Sequence, residues 1–458
     1  MIRLTRRAAI GALASAPLAV KAMATPHDTS FRALAPRPPM GWNSWDCFAT
    51  TINEAQARAN AAVMAEKLLP HGYDVFTIDI QWYESGATGF QYRVGAELTM
   101  DGWGRLLPAG NRFPSARGGL GFKPLADHIH ALGLRFGVHL MRGVPRGAAD
   151  RNLPILGTPH RCGAIADRVN ICPWNPDMYG IDMSKPGAQA YYDSVFRLLA
   201  EWGVDFVKVD DISRPYHRNE PEIAAVRRAI DGSGRPMVLS LSPGETPLSA
   251  AAHAGTHANM WRISDDFWDE WPLLLSQFRR LANWAPHVRA GTWPDADMLP
   301  LGLLAMGARR TRFTPAEQRT MMTLWSIARS PLIMGGDLTA LDDAALALLT
   351  NDEVLAVNQH GTGGRELRRT GTEAIWIARD SRTGDPYVAL FNLGETEAIV
   401  SVRRDALGAV EGAHVRDLWA QRDIGLAADR IDVTLAPHGA AFYRLGNERD
   451  AVVTVQNP

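Results

Sequence analysis

Long hydrophobic runs, cysteine and an excess of either charge are what this sequence has least of. Lys and Arg number 48 against 49 Asp and Glu, a formal net charge of −1, and the basic residues do not gather on any one expected element. Gripping a phosphate backbone takes a basic stripe, so a nucleic-acid partner is not expected. Beyond the N-terminus no stretch approaches the ~20 continuous apolar residues that a membrane span needs. Only Cys47, Cys162 and Cys172 are present, too few for a disulfide scaffold, and no nearby His is evident to activate one as a nucleophile. A hydrophobic fraction of 46% and a charged fraction of 21% fit an ordinary globular protein, and 458 residues call for two or three folding units.

The apolar run that does occur stands at the start. Arg3, Arg6 and Arg7 precede Ala8–Val20, and Ala22-Met23-Ala24 has the small-x-small form of a cleavage site. Residues 1–24 therefore read as a signal peptide for export to the periplasm or the medium, and Arg6-Arg7 suits the twin-arginine route. An oxidising compartment permits one disulfide; Cys162 and Cys172, close together in one loop-like segment, are the expected pair, while Cys47 reads as a small buried apolar residue.

Eight short β-branched or aromatic runs recur along the chain: Met40–Trp45, Val75–Ile80, Phe136–Met141, Phe206–Asp210, Met237–Leu241, Met260–Ser264, Val288–Trp293 and Pro331–Met334. Most are followed by a loop and a segment of helical period, such as Asn53–Leu69, so the pattern predicts a (β/α)₈ TIM barrel over residues 25–360. Asp101–Pro114 and Pro145–Pro176 are rich in Gly, Pro and Arg and read as long loops walling a pocket. Gly361-Thr362-Gly363-Gly364 reads as a hinge. From Ala374 onward strands follow one another without helices, which predicts a small C-terminal antiparallel β-sandwich over 365–447 that packs on the barrel, with 448–458 as a tail.

Catalytic groups of such a barrel come from the C-terminal ends of its strands. Charged residues stand there: Asp79 on strand two, Lys208 and Asp210 on strand four, Arg262 leading to Asp266 on strand six, and Asp295 and Asp297 after strand seven. Buried charges cost several kcal/mol unless paired, so structure alone seldom collects so many. Alternate strand residues share a face, which sets Lys208 beside Asp210 and favours its carboxylate, as a nucleophile needs. Asp266 breaks into Phe267-Trp268, and apolar neighbours would hold a proton on it. Asp211 and Asp265 should face away. Trp42, Trp45, Trp82 and Trp293 lie near strand ends, where rings can stack on a sugar; Trp42 and Trp293 suit core packing equally, and Trp45 and Trp82 look more exposed.

Pro38-Pro39-Met40-Gly41-Trp42-Asn43-Ser44-Trp45, Trp202–Asp210, Trp261-Arg262 with Asp266, Trp293–Leu299, Ser330-Pro331-Leu332 and Asn351–Gln359 together resemble the family 27 α-galactosidases and α-N-acetylgalactosaminidases along both domains. The resemblance implies a retaining glycosidase cleaving terminal α-galactosyl residues, with Asp210 as nucleophile, Asp266 as acid/base, and Trp45, Asp79, Lys208, Arg262 and Asp297 binding the sugar. It implies no metal or organic cofactor, and a carbohydrate partner that is an oligosaccharide, polysaccharide or glycoconjugate.

The chain departs from that pattern where it matters for the sugar. Ile80 stands where the family usually has a second Asp, Ser240-Leu241-Ser242-Pro243 where many members have Glu-Trp, and His139 where Tyr is common. A pocket narrowed by Ile80 could prefer β-L-arabinopyranosides, which are α-galactosides without the exocyclic carbon. Two other classes remain: a glycan-binding protein that lost activity, against which both carboxylates stand, and a metal-dependent hydrolase using Asp79, His139 and Asp210, against which stands the lack of a His-x-His pair at a strand end.

Overall fold

The computed structural model describes residues 30–446; the signal peptide expected at 1–24 and the tail at 448–458 lie outside the described residues. Eight parallel strands carry the first domain: β1 (Met40–Asn43), β2 (Val75–Ile78), β3 (Arg135–Met141), β4 (Phe206–Asp210), β5 (Val238–Leu241), β6 (Met260–Arg262), β7 (Trp293–Asp295) and β8 (Leu332–Met334). They pair in the order β7-β6-β5-β4-β3-β2-β1-β8. The circle closes through the segment after β7, where the Leu299 amide donates to the Ile333 carbonyl at 2.8 Å. This is the expected TIM barrel. β1 comes so near β2 that a Cβ on Gly41 would stand 2.1 Å from the Val75 carbonyl oxygen, which leaves glycine as the fitting residue.

Helices cover the barrel where the sequence gives them caps. Glu54–Lys67 begins with a capping box, Asn53 and Gln56 exchanging backbone-to-side-chain bonds, and Thr314 with Glu317 does the same for Pro315–Ala328. Ala188–Trp202 stops at Gly203, whose φ of 85° supplies the left-handed cap.

Three expectations need correction. Strand seven begins at Trp293 instead of ending there: Arg289 and Thr292 close a tight turn around Gly291 (φ 85°), so Asp295 belongs to the strand. Gly361–Gly364 is not a hinge but the start of strand Gly361–Arg369, with Gly361 opposite Asp380. Cys162 and Cys172 are free and buried. The six-residue strand Ala166–Ile171 stands between them and alone spans roughly 15–20 Å, whereas a disulfide needs Cα atoms within about 7 Å. The Cys162 thiol donates instead to the Trp103 carbonyl, at 3.8 Å.

The second domain holds β9 (Gly361–Arg369), β10 (Glu373–Asp380), β11 (Pro386–Asn392), β12 (Ala398–Arg403), β13 (His414–Asp417), β14 (Arg422–Leu426), β15 (Arg430–Leu435) and β16 (Ala440–Gly446). Six form one sheet in the order β9-β10-β11-β16-β13-β14, and β12 pairs with β15 over its inner face. Period-two alternation divides β10 between two cores. Ile375 and Ile377 fill the sandwich, while Ala374, Trp376 and Ala378 join the barrel's own apolar cluster. Phe391 meets Phe278 edge-on at 5.0 Å, and the His438 ring stacks on Trp271 at 3.7 Å. The expected packing of the sandwich on the barrel is therefore a shared hydrophobic interior.

Candidate active site

The ends of β1, β2, β4 and β6 and the turn after β7 converge on one pocket of about 250 Å³ at the C-terminal mouth of the barrel. Trp45, Asp79, Lys208, Asp210, Arg262, Asp266 and Asp297, all seven residues selected from the sequence, line it.

Asp210 ends β4 and is buried. Its Oδ2 lies 3.0 Å from His139 Nε2 on the neighbouring strand β3, and its Oδ1 accepts from the Asp211 amide at 2.9 Å. Burial alone would raise the carboxyl; the His139 hydrogen bond, the electrostatic pull of His139 and the Lys208 charge outweigh it and hold Asp210 below the usual carboxylate range. Behind the strand end, the buried Arg142 amide donates to the Asp210 carbonyl at 2.9 Å, and its guanidinium binds Asp211 at 2.5 Å and Glu222 at 2.9 Å. Asp211 thus faces away, as expected.

Lys208 does not reach Asp210 directly. Its Nζ donates to Asp79 Oδ2 at 2.9 Å, and the same oxygen accepts from Asn43 Nδ2 at 2.7 Å. The Ile80 amide takes Asp79 Oδ1 at 2.8 Å. Burial pushes Asp79 up, but the Lys208 charge beside it wins and its carboxyl lies far below the usual range. Ile80 itself lines the pocket beside Asp79, so its hydrocarbon occupies wall that a polar group could have held.

Arg262 Nη2 bridges two acids, Asp297 Oδ2 at 2.8 Å and Asp266 Oδ1 at 3.2 Å. Asp297, in the left-handed region at φ 84°, also accepts the Phe267 amide at 2.8 Å. Burial and the nearby Asp266 and Asp295 push Asp297 up to about 7, against the pull of Arg262. The apolar enclosure expected around Asp266 is absent: its side chain is 56% exposed, and Phe267 turns inward against Phe313 and Trp325. Trp82 is likewise not a pocket residue; it is fully buried, with Nε1 donating to the His139 carbonyl at 2.8 Å. Trp42 and Trp293 are core residues too, tied to the Gly336 and Ala35 carbonyls.

Comparison with known proteins gives this geometry a lineage. A family model described as α-galactosidase A matches residues 179–360, and one described as the α-galactosidase C-terminal β-sandwich domain matches 370–445. The crystal structure of a GH27 β-L-arabinopyranosidase from Geobacillus stearothermophilus is 50% identical, covering 93% of this chain and 100% of that one, with a TM-score of 0.90. The chain belongs to glycoside hydrolase family 27. This family membership makes it a retaining glycosidase. The crystal structure of a putative α-N-acetylgalactosaminidase from Bacillus halodurans is 47% identical, covering 90% of this chain and 98% of its own, with a TM-score of 0.81. Among curated relatives, α-galactosidase 2 of Arabidopsis thaliana is 27% identical over 90% of each chain.

Sequence reasoning missed several pocket residues. Asp46, next to the selected Trp45, lines the pocket with its Oδ2 buried and without a hydrogen-bond partner; burial and the Asp297 charge raise its carboxyl well above the usual range. Phe90, Tyr92, Trp174 and Trp268 line the mouth. Of these, only Asp46 carried a signal, as an acid one residue from a strand-end Trp.

Proposed function

We propose that the chain removes terminal sugars of galacto configuration, α-galactosides and β-L-arabinopyranosides, and that Ile80 tilts it toward the pentopyranoside. Asp210 attacks the anomeric carbon while Asp266 gives its proton to the departing oxygen; a covalent glycosyl-enzyme and the free alcohol result. Water, its proton taken by Asp266, then attacks the same carbon, and Asp210 leaves as a carboxylate. Lys208, Asp79, Arg262, Asp297 and Trp45 hold the ring. The observation that carries the choice of sugar is Ile80 in the pocket wall beside Asp79, where a hydroxymethyl group would meet methyl groups without a polar partner. The 50% identity to a β-L-arabinopyranosidase supports the same reading. Export, resting on the leader pattern at 1–24, is part of the proposal and is tested by the N-terminal sequence of the secreted protein.

The test is turnover of nitrophenyl β-L-arabinopyranoside, α-galactoside and α-N-acetylgalactosaminide. The pentopyranoside is expected to give the highest kcat/KM. Faster cleavage of the α-galactoside would remove Ile80 from the argument, and turnover of none would overturn the assignment.

A further inference from the structure

A general acid must come within hydrogen-bond reach of the oxygen it protonates, so the leaving group of this enzyme lies against the exposed side of Asp266. Aromatic rings line the same pocket as Asp266, Trp268 only two residues from it. Trp268 meets Phe90 at 5.8 Å between centroids, Phe90 meets Trp45 at 5.4 Å, Trp45 lies parallel to Tyr92 at 6.2 Å, and Tyr92 meets Trp174 at 5.4 Å. The five come from four separate segments, the exits of β1, β2, β3 and β6, and each is half-buried with some ring surface turned to the pocket.

The rings are held in place from behind. Arg309 lies over Trp268 at 5.9 Å, and the fully buried Asp269 side chain grips Arg309 through both oxygens. Thr50 exchanges hydrogen bonds with both the amide and the carbonyl of Gly89, fixing the approach to Phe90. Arg112 ties the same loop through the carbonyls of Gln81 and Glu84, each within 2.9 Å. At the rim Arg214 and Asp265 are bonded to each other at 2.8 Å.

We infer that the rings of this wall other than the sugar-holding Trp45, with Trp268 two residues from Asp266, form a leaving-group subsite for a ring with a flat apolar face. The assignment rests on the proposed role of Asp266. Preorganised ring faces beside a pre-paired ion pair reward stacking by a flat apolar face. Two leaving groups share that chemistry, the aryl ring of a phenolic glycoside and the apolar face of a neighbouring sugar. A small alkyl group has no such face.

The experiment compares the phenyl glycoside, the methyl glycoside and a disaccharide of whichever sugar the wild-type enzyme cleaves, in wild type, Trp268→Ala and Trp268→Phe. Trp268→Ala is expected to lower kcat/KM about tenfold for one or both ring leaving groups, to leave the methyl glycoside within about twofold, and to leave inhibition by the free sugar unchanged. Trp268→Phe restores most of the loss. A fall confined to the phenyl glycoside identifies an aryl partner, one confined to the disaccharide identifies a sugar, and a fall in both shows that ring shape is what is read. Equal losses on all three substrates with weakened inhibition by free sugar, or no loss on any, would overturn the subsite. Failure of the functional assignment looks different, because wild type would then cleave none of the three.

Discussion

Replacing Ile80 with aspartate puts a carboxylate into the pocket wall where the structure has methyl groups next to Asp79, whose two oxygens are already taken by Lys208, Asn43 and the Ile80 amide. For an α-galactoside the new group accepts a hydrogen bond from the exocyclic hydroxyl. A bond to a charged partner contributes about 1.5–3 kcal/mol, so kcat/KM should rise about 10- to 150-fold. For a β-L-arabinopyranoside the carboxylate has no hydroxyl to meet and must be desolvated, a cost of about 1–3 kcal/mol that lowers kcat/KM about 5- to 150-fold. Ile80 is only 1% exposed, so the variant also loses buried hydrocarbon, and its melting temperature should fall by a few degrees. The assay is the ratio of specificity constants on the two nitrophenyl glycosides, with a circular dichroism melt confirming the fold. If a folded variant keeps the wild-type ratio, Ile80 does not read the sugar and the preference has another origin.

Asp210→Gly should lower kcat at least ~10⁴-fold, and added azide should restore cleavage with a glycosyl azide of inverted configuration; residual turnover near wild type would take Asp210 out of the reaction. His139→Leu removes the strongest influence holding Asp210 low, so the acidic limb of the kcat/KM profile should move to higher pH, and a limb that stays put refutes the His139 contact as the cause. Asp297, raised in the folded protein to about 7, releases its proton near pH 4 when unfolded. Its proton therefore stabilises the fold below pH 4, and that contribution, at most about 4 kcal/mol, is lost as pH rises through 7. Melting temperature should fall between pH 5 and 8 more steeply in wild type than in Asp297→Asn, and parallel curves would contradict the raised Asp297 carboxyl.

What could be read from the sequence was whatever a strand dictates. Asp210 and Arg262 are fixed by period-two geometry at the ends of β4 and β6, and Trp45, Asp79, Asp266 and Asp297 follow within a few residues of strand ends. Loop residues obey no such period, and Phe90, Tyr92, Trp174 and Trp268 meet only because long excursions fold over the mouth. Partner choice was also hidden: Lys208 shares a face with Asp210 but bonds past β3 to Asp79 at the end of β2, and His139 on β3 takes the place expected of it. Glycine misled twice. Gly361–Gly364 looks like a hinge by composition yet is drawn into a sheet by β10, while Gly291 cut short a run that otherwise reads as a strand.

The division of β10 between two cores bears on how the molecule comes apart. Trp376, Phe391 and Phe442 belong to the same apolar cluster as the barrel helices, so melting either domain strips the other of part of its interior. Heat should therefore unfold both in a single cooperative transition. A barrel expressed without residues 361–446 would present that hydrophobic face to water and associate through it, so the sandwich serves the glycosidase as a structural half even if it never touches a sugar.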